Sequence, residues 1–270
     1  MKDIEMQEHA KHIRENIVTM VSNANSGHPG GSLSAADILS VLYFEVMDIT
    51  EENVNSTKRD RFVLSKGHAS PLLYATLYEK GFLKEDLMSF RKINSKLQGH
   101  PNMNYIAGVD MSTGSLGQGI SCAVGMALAN KIDGNTHRVY TLLGDGECEE
   151  GEVWEAAMAA AHYRLNNLCA IVDFNSLQID GNIRDVMNPT PIDEKFRAFG
   201  WHVISIKGHD LEEIRYAFDE AIKEVEKPTM IVAHTIKGKG VSFMENNAAW
   251  HGSAPNKEQC LQAIEELEAA

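Results

Sequence analysis

The sequence lacks paired cysteines, a surplus of basic residues and long apolar runs, and each absence excludes a class of protein. Its four cysteines are far apart and form no CxxC pair, which argues against a disulfide framework or a zinc site. Acidic residues number 38 against 25 basic ones, so nucleic acid is not an expected partner. No apolar run reaches the roughly 18 residues of a membrane span, and the acidic N-terminus is not a signal peptide. We expect a cytoplasmic protein that does not associate with membranes.

The sequence also shows no sign of a domain boundary, because no repeat, low-complexity stretch or Pro/Gly/Ser linker divides the 270 residues. Four apolar segments, RVYTLL, LCAIVDF, HVISI and TMIVAHT, alternate with helical stretches such as EVWEAAMAAAHYR and LEEIRYAFDEAIKEV. Apolar strands separated by helices predict a doubly wound α/β fold, in which helices cover both faces of a parallel sheet. We also expect a strand over 61–65 and helices over 4–21, 34–46, 71–79, 117–131 and about 257–268.

The stretch GDGECEEG follows the apolar run VYTLL and places Asp145 directly after a strand. The next strand, LCAIVDF, is followed by Asn175. Consecutive strands are often neighbours, so their ends would bring the carboxylate and the amide oxygen together. Such an oxygen set suits Mg²⁺ or Ca²⁺, and the flanking glycines would let a phosphate approach the backbone. The alternative is an ordinary strand-to-helix turn with a capping acid.

Five of the eleven histidines adjoin a glycine, which is a loop pattern, and loops at strand ends carry function. Four of them suit binding of phosphate or hydroxyl groups and proton transfer; these are His28, His68, His100 and His251. For each, an exposed loop histidine is the alternative. We assign the fifth, His209, to structure, because the following Asp210 is placed to cap a helix.

Two further segments contain candidate ligand contacts. The turn TGSLGQG over 113–119 precedes a helix, so its free N–H groups would hold a polar ligand, although it matches neither GxGxxG nor the P-loop. Lys237 of HTIKGKG follows the last strand and would supply a charge for a diphosphate or sugar phosphate, with solvated surface as the alternative. The acids Glu149 and Glu150 are predicted to be solvated or to charge a helix start, with a buried carboxylate that contacts a partner chain as the alternative.

In this order, SGHPGG, LSKGHAS, GHP, TGSLGQG, GDGECEEG, DFNSLQIDG, HTIKGKG and AAWHG resemble the N-terminal half of transketolase, a thiamine diphosphate enzyme. The resemblance covers about residues 8–255. It implies transfer of a two-carbon glycolaldehyde unit from a ketose phosphate to an aldose phosphate by carbanion chemistry on the cofactor.

The resemblance also implies a role for each matched residue. Mg²⁺ or Ca²⁺ on the diphosphate would be held by Asp145, the Asn175 side chain and the Leu177 carbonyl. The diphosphate would be contacted by Gly146, His68, Lys237 and His251. The aminopyrimidine would lie against Ser115, Leu116 and Gly117, and the thiazolium against Leu177 and Ile179. Donor hydroxyls and protons would be handled by His28, His100 and His251. Glu150 would lie at a subunit interface, whereas Glu147 and Glu149 stay solvated.

The chain departs from the family in length, because a full transketolase continues into a pyrimidine-binding domain and a C-terminal domain. We expect residues 1–255 to form the diphosphate-binding domain and residues 256–270 a C-terminal amphipathic helix. A natural subunit is then expected, completed by a separately encoded C-terminal subunit in an α₂β₂ assembly that acts on sugar phosphates. Two alternatives stay open: an enzyme for atypical sugars or of the deoxyxylulose-phosphate synthase type, and a non-catalytic, cofactor-binding regulatory subunit.

Overall fold

The computed structural model describes residues 3–269. These residues form seven strands: β1 Arg61–Leu64, β2 Val139–Gly144, β3 Leu168–Phe174, β4 Leu177–Gln178, β5 Gly181–Asn182, β6 His202–Lys207 and β7 Thr229–His234. They also form ten α-helices: α1 Asp3–Ala24, α2 Pro29–Leu33, α3 Ala36–Val41, α4 Ser70–Glu79, α5 Gln118–Ile132, α6 Gly151–His162, α7 Ile183–Val186, α8 Ile192–Ala198, α9 Leu211–Lys223 and α10 Lys257–Ala269.

Five strands form one parallel sheet in the order β1-β2-β3-β7-β6, and β4 pairs with β5 in a small antiparallel hairpin. Successive residues of the sheet point to two separate apolar cores, as Tyr140 and Leu142 do on one face and Val139 and Leu143 on the other. A parallel sheet buried on both faces explains why its strands are apolar throughout. The predicted doubly wound α/β fold is confirmed.

The direction of each crossover decides which face its helix covers. The chain moves from β2 to β3 through α6 and from β3 outward to β6 through α8, and both helices pack on one face. It then turns back from β6 to β7, and α9 packs on the opposite face with α1, α4 and α10. Because parallel crossovers are right-handed, reversing the direction of travel moves the helix to the other side of the sheet.

The expected helix over 34–46 forms from residue 36 onward, and a break at residues 34–35 separates it from an unpredicted short helix. The chain forms α2 before it and α3 within it, and a π turn over Leu42–Val46 continues α3. Ala35 has a non-helical backbone, and the preceding Ser34 donates its hydroxyl to Asp173 of β3. Pro29 suits the first turn of α2 because its missing N–H would be unsatisfied there anyway. A tertiary contact therefore decides where this helix is interrupted.

The remaining features agree with expectation within a few residues. The last helix, α10, buries Ala263 and Leu267 in the core that it shares with α1. All four cysteines are free thiols. Within residues 3–269, no helix combines the length and apolar character that crossing a membrane needs.

Candidate active site

Asp145 and Asn175 lie just beyond the carboxyl ends of β2 and β3, which are neighbours in the sheet as predicted. Asp145 is buried, and its carboxylate accepts two backbone N–H groups, from Gly146 at 2.8 Å and from Ser176 at 2.5 Å. Burial raises the pKa of Asp145 to about 6, and the nearby Asp173 carboxylate adds to the rise. The strand ends therefore hold a carboxylate whose charge is only partly compensated.

Asn175 and Leu177 supply further oxygen atoms beside Asp145. The Asn175 Oδ1 atom accepts the Leu177 amide at 3.1 Å, and the Leu177 carbonyl accepts Lys237 Nζ at 3.0 Å. Carboxylate, amide and carbonyl oxygens are ligands that Mg²⁺ and Ca²⁺ prefer. The Leu177 carbonyl already receives a positive group, and a cation would favour the charged form of Asp145. These residues fit a divalent metal ion.

Three of the predicted histidines form one cluster. The ring centroids of His28, His68 and His251 lie 5.1 to 5.5 Å apart. Burial, helped by neighbouring positive groups, lowers the pKa of His28 to about 4, of His251 to about 3, and of His68 well below its ordinary value. The three imidazoles are therefore neutral at pH 7, and Nδ1 of His28 is buried with no hydrogen-bond partner in the described chain.

Lys237 joins this histidine cluster to the strand ends. It is 2% exposed, and its Nζ atom lies 3.1 Å from His251 Nδ1. Burial lowers the pKa of Lys237 to about 8, so the side chain is still mostly charged at pH 7. An ammonium group only donates, so it fixes His251 as the tautomer with its proton on Nε2. A buried cation and neutral N–H donors suit a phosphorylated ligand.

His100 and the glycine-rich turn lie beside the cluster. A Cβ atom on Gly114 would lie 3.1 Å from the His100 ring, and the ring is exposed at this border. Gly117 has a positive φ of 82° and begins α5, where a Cβ atom would lie 3.0 Å from Glu150. Its N–H group donates to Glu147 at 2.9 Å, so it is not free for a ligand, contrary to the sequence prediction for this turn.

Glu147 is buried, contrary to the prediction of a solvated side chain. It is 2% exposed, and its carboxylate accepts Ser65 Oγ at 2.5 Å, Gly117 N at 2.9 Å and Gly144 N at 3.0 Å. A 3₁₀ turn over Gly146–Glu149 directs the side chain inward, and these donors offset its burial. Burial raises the pKa of Glu147. Glu149 is half-buried rather than solvated, whereas Glu150 is exposed.

Lys66 and Asp173, which have no predicted role, form a buried ion pair beneath the site. Lys66 Nζ donates to Asp173 at 2.5 Å and to the Gly31 carbonyl at 2.7 Å. Asp173 also accepts the hydroxyls of Ser34 and Thr235 and the Asn175 amide. The available signal was an aspartate inside the apolar strand LCAIVDF, because a buried charge requires a partner.

A cavity of about 180 Å³ lies where these groups meet. The predicted site residues that line it are His68, Leu116, Asp145, Gly146, Glu150, Asn175, Leu177, Ile179, Lys237 and His251. Four other predicted site residues do not line it: His28, His100, Ser115 and Gly117. A larger groove, of about 740 Å³, runs past Lys58 and Arg61, but it holds none of the predicted site residues. The smaller cavity is therefore the candidate active site.

Comparison with known proteins finds similarity to transketolases by family, by sequence and by structure. The family described as "Transketolase, thiamine diphosphate binding domain" matches residues 5–268. A 6-deoxy-6-sulfo-D-fructose transketolase subunit from a Clostridium species is 44% identical over 99% of this chain and 98% of its own length. One of the subunits of an apulose-4-phosphate transketolase, from Phocaeicola vulgatus, is 42% identical over 94% of this chain and 90% of its own length.

Longer transketolases match over part of their length only. The transketolase of Homo sapiens is 42% identical over 97% of this chain and 42% of its own length. The crystal structure of a Campylobacter jejuni transketolase superimposes with a TM-score of 0.92 at 39% identity, covering 99% of this chain and 43% of that one. The chain thus spans about two fifths of the longer transketolases and nearly all of the relatives named as subunits.

Proposed function

The chain belongs to the transketolase family, and we propose that it is the cofactor-binding subunit of a two-chain enzyme whose active site is completed by a separate C-terminal subunit. The observation that carries this proposal is the coverage of its relatives, since the chain matches nearly the full length of two proteins named transketolase subunits. Residues 1–255 would be the diphosphate-binding domain, followed by the helix over 256–270. The enzyme would act in the cytoplasm on sugar phosphates, in an α₂β₂ assembly.

The chain is a thiamine diphosphate-dependent transketolase subunit. Bound thiamine diphosphate would supply the carbanion chemistry that moves a glycolaldehyde unit from a ketose phosphate to an aldose phosphate. The chain's own task is anchoring. Asp145, Asn175 and the Leu177 carbonyl would hold Mg²⁺, because they are the oxygen atoms gathered at the ends of β2 and β3.

Lys237, His68 and the Gly146 backbone would bind the diphosphate. Lys237 is a buried cation beside the metal-binding oxygens, and His68 lies in the neutral cluster. Gly146 leaves its backbone open to the cavity that it lines. Segment 115–117 would line the aminopyrimidine, and the partly exposed Leu177 and Ile179 would flank the thiazolium.

His28, His100 and His251 would bind the donor's hydroxyl groups and transfer protons. Neutral imidazoles both accept and donate, which a hydroxyl-bearing sugar requires. The Lys237 contact leaves the proton of His251 on Nε2, so that atom is a donor. Such positioned acid–base groups contribute about 10²-fold or more to rate.

Glu150 would contact another subunit. It is exposed in this chain and lies directly before α6, against Gly117 of the glycine-rich turn. An acid at this place is open to a second protein chain and adjoins the cofactor cavity. The missing pyrimidine-binding subunit would bring the remaining sugar-phosphate contacts.

A second candidate is the same reaction with an atypical donor sugar. It is favoured by the names of the two full-length relatives, which refer to 6-deoxy-6-sulfo-D-fructose and apulose-4-phosphate. The experiment is to express the chain with the product of the adjacent open reading frame, then measure ketose consumption with thiamine diphosphate and Mg²⁺. We expect no turnover by the chain alone and turnover by the mixture, with a donor panel separating the two candidates. Full activity of the isolated chain would disprove the split active site.

A further inference from the structure

His209 is the glycine-flanked histidine that has no place in the proposed reaction, and it lies next to the Lys237 loop. Its Nδ1 atom is 2.7 Å from Asp37 Oδ2, and its Nε2 atom is 2.9 Å from the backbone nitrogen of Ile236. Ile236 directly precedes Lys237 in the chain. One imidazole ring therefore links α3 to the segment that carries the buried lysine of the site.

The partners of His209 determine where its proton lies. A backbone N–H only donates, so Nε2 must be unprotonated to accept from Ile236. Burial opposes the charged form of Asp37, but the Arg14 guanidinium outweighs it and lowers the pKa of Asp37 to about 2. The carboxylate therefore accepts from Nδ1–H. His209 is a neutral imidazole that donates at one end and accepts at the other.

The Asp37 end of this link is firmly anchored. Arg14 of α1 binds Asp37 through two parallel hydrogen bonds of 3.0 and 2.6 Å. At the other end, the Gly208 amide donates to the His234 carbonyl at 2.8 Å, and a Cβ atom on Gly208 would lie 2.4 Å from Thr235. The glycine thus allows the close approach that brings His209 to Ile236.

Three hydrogen bonds tie the backbone of residues 236–238 to other segments of the chain. Ile236 donates to His209, Gly238 donates to the Gly30 carbonyl at 3.0 Å, and the Lys237 carbonyl accepts from Asn246 at 3.0 Å. The first is made by a side chain, so a single substitution can remove it and leave the backbone-only bonds in place. Strand β7 ends at His234, so the Ile236 amide lies beyond the sheet and is held by His209 instead of a strand partner.

We propose that His209 is a positioning residue that holds the Ile236–Lys237 backbone, through Asp37 and Arg14, so that Lys237 reaches the diphosphate site. The inference rests on the proposed function for the role of Lys237 in binding diphosphate. The hydrogen bond itself is independent of that function.

Two substitutions separate the two ends of the imidazole. In His209→Asn the amide nitrogen takes about the place of Nδ1 and still donates to Asp37, but nothing reaches Ile236. In His209→Gln the amide group reaches about the place of Nε2 and its oxygen accepts from Ile236, while the Asp37 contact is lost. A residue that only packs would respond similarly to both changes, whereas glutamine should partly rescue a positioning residue because it restores the acceptor for Ile236.

The test measures the Lys237 loop directly in the assembled two-chain enzyme. We expect His209→Asn to speed hydrogen exchange of the Ile236 amide by roughly fivefold or more, because a net hydrogen bond is lost. Labelling of Lys237 by an amine-reactive reagent should rise, with the buried Lys66 as internal reference. Thiamine diphosphate affinity in Mg²⁺ should fall about tenfold, as for other groups that orient ligand-binding residues. His209→Gln, which keeps the Ile236 contact but loses the Asp37 anchor, should be less impaired than His209→Asn.

His202→Gln, which removes another partly buried imidazole from β6, is the matched control and should change none of these readouts. Equal impairment in His209→Asn and His209→Gln would overturn the proposal, as would unchanged exchange and labelling in His209→Asn. Altered labelling with unchanged cofactor affinity would also overturn it. If the wild-type enzyme binds no thiamine diphosphate, the proposed function fails, and the exchange and labelling results still decide whether His209 holds the loop.

Discussion

Carboxylates are buried at both ends of the sheet strands, the amino-terminal edge and the carboxyl edge. Asp110 at the first and Asp145 at the second are compensated in different ways. At the amino-terminal edge, the Asp110 carboxylate accepts hydrogen bonds from both terminal nitrogens of Arg59, at 3.0 and 2.7 Å. It also accepts hydrogen bonds from Arg61 at 3.1 Å and from the Phe62 amide at 2.9 Å. At the carboxyl edge, Asp145 accepts two backbone amides, and no lysine or arginine within residues 3–269 forms an ion pair with it. Asp110 is hydrogen-bonded to two arginines, whereas burial raises the pKa of Asp145 and Lys237 lowers it only in part, without forming an ion pair with it.

This difference separates a structural charge from a functional one. A buried ion pair whose members are all present needs nothing further, and removing one member leaves a buried charge unpaired. A buried carboxylate with a raised pKa is destabilised in its charged form until a cation arrives. The carboxyl edge is therefore the place where a metal ion gains most from binding, although both edges have acids and open space.

The largest expected effect comes from Asp145→Ala. Metal-dependent binding of thiamine diphosphate by the assembled enzyme should weaken by at least about 100-fold, because Mg²⁺ is held by few protein ligands. The free energy of unfolding of the unliganded chain should change little, since removal of a poorly compensated buried charge is offset by loss of the acceptor for the Gly146 and Ser176 amides. Isothermal titration with and without EDTA, and denaturant unfolding, give the two quantities. Undiminished metal-dependent binding would remove Asp145 from the metal site.

The converse substitution, Asp110→Asn, should spare the cofactor and reduce stability. It leaves the buried Arg59 and the half-buried Arg61 without their carboxylate, so we expect a loss of about 3–5 kcal/mol in the free energy of unfolding. Thiamine diphosphate affinity of the folded fraction should stay within about twofold of wild type, because the two edges are separate and distant effects add independently. A variant that unfolds normally but binds cofactor poorly would show that the edges are coupled.

The loss of folding stability at low pH should also arise in part at the carboxyl edge. The folded pKa of His251, about 3, lies below the ordinary 6.5, so the unfolded chain takes up the proton more readily. Its contribution to stability is full above pH 6.5 and is lost as the pH falls towards 3. His251→Asn should therefore reduce the loss of unfolding free energy between pH 6.5 and 4 by on the order of 2 kcal/mol. His162→Asn, at an exposed histidine, is the control, and an unchanged pH profile in His251→Asn would contradict the assignment.

Much of this arrangement could be predicted from the sequence, and the reasons are physical. Apolar strands alternating with helices allow few folds, and the carboxyl ends of parallel strands are where loops gather. Asp145 and Asn175 follow consecutive strands, so their proximity required only that β2 and β3 be neighbours. The histidines were recognisable by the glycines beside them. Their roles in the reaction came from the resemblance to transketolase and stay predictions.

The burial of individual acids could not be predicted, because it depends on the direction in which each side chain points and not on composition. In GDGECEEG, the acids Glu147, Glu149 and Glu150 are nearly adjacent, yet they run from buried through half-buried to exposed. A single 3₁₀ turn decides this, because it directs Glu147 towards three donors from distant segments. The partner of Lys66 was hidden for the same reason: Asp173 is far away in sequence, and only the packed sheet brings the two charges together.

Glu147→Gln provides the smallest and most local test of that comparison. The amide oxygen can still accept from Ser65 and Gly117, but the amide nitrogen then faces the Gly144 N–H group, which loses its acceptor. Leaving one buried donor unsatisfied should lower the free energy of unfolding by about 1–2 kcal/mol. Glu150→Gln, at the exposed acid of the same turn, is the matched control and should change it by less than about 0.5 kcal/mol. Equal effects of the two substitutions would mean that the three donors do not stabilise Glu147. The difference in burial between the acids of this turn would then carry no difference in stability.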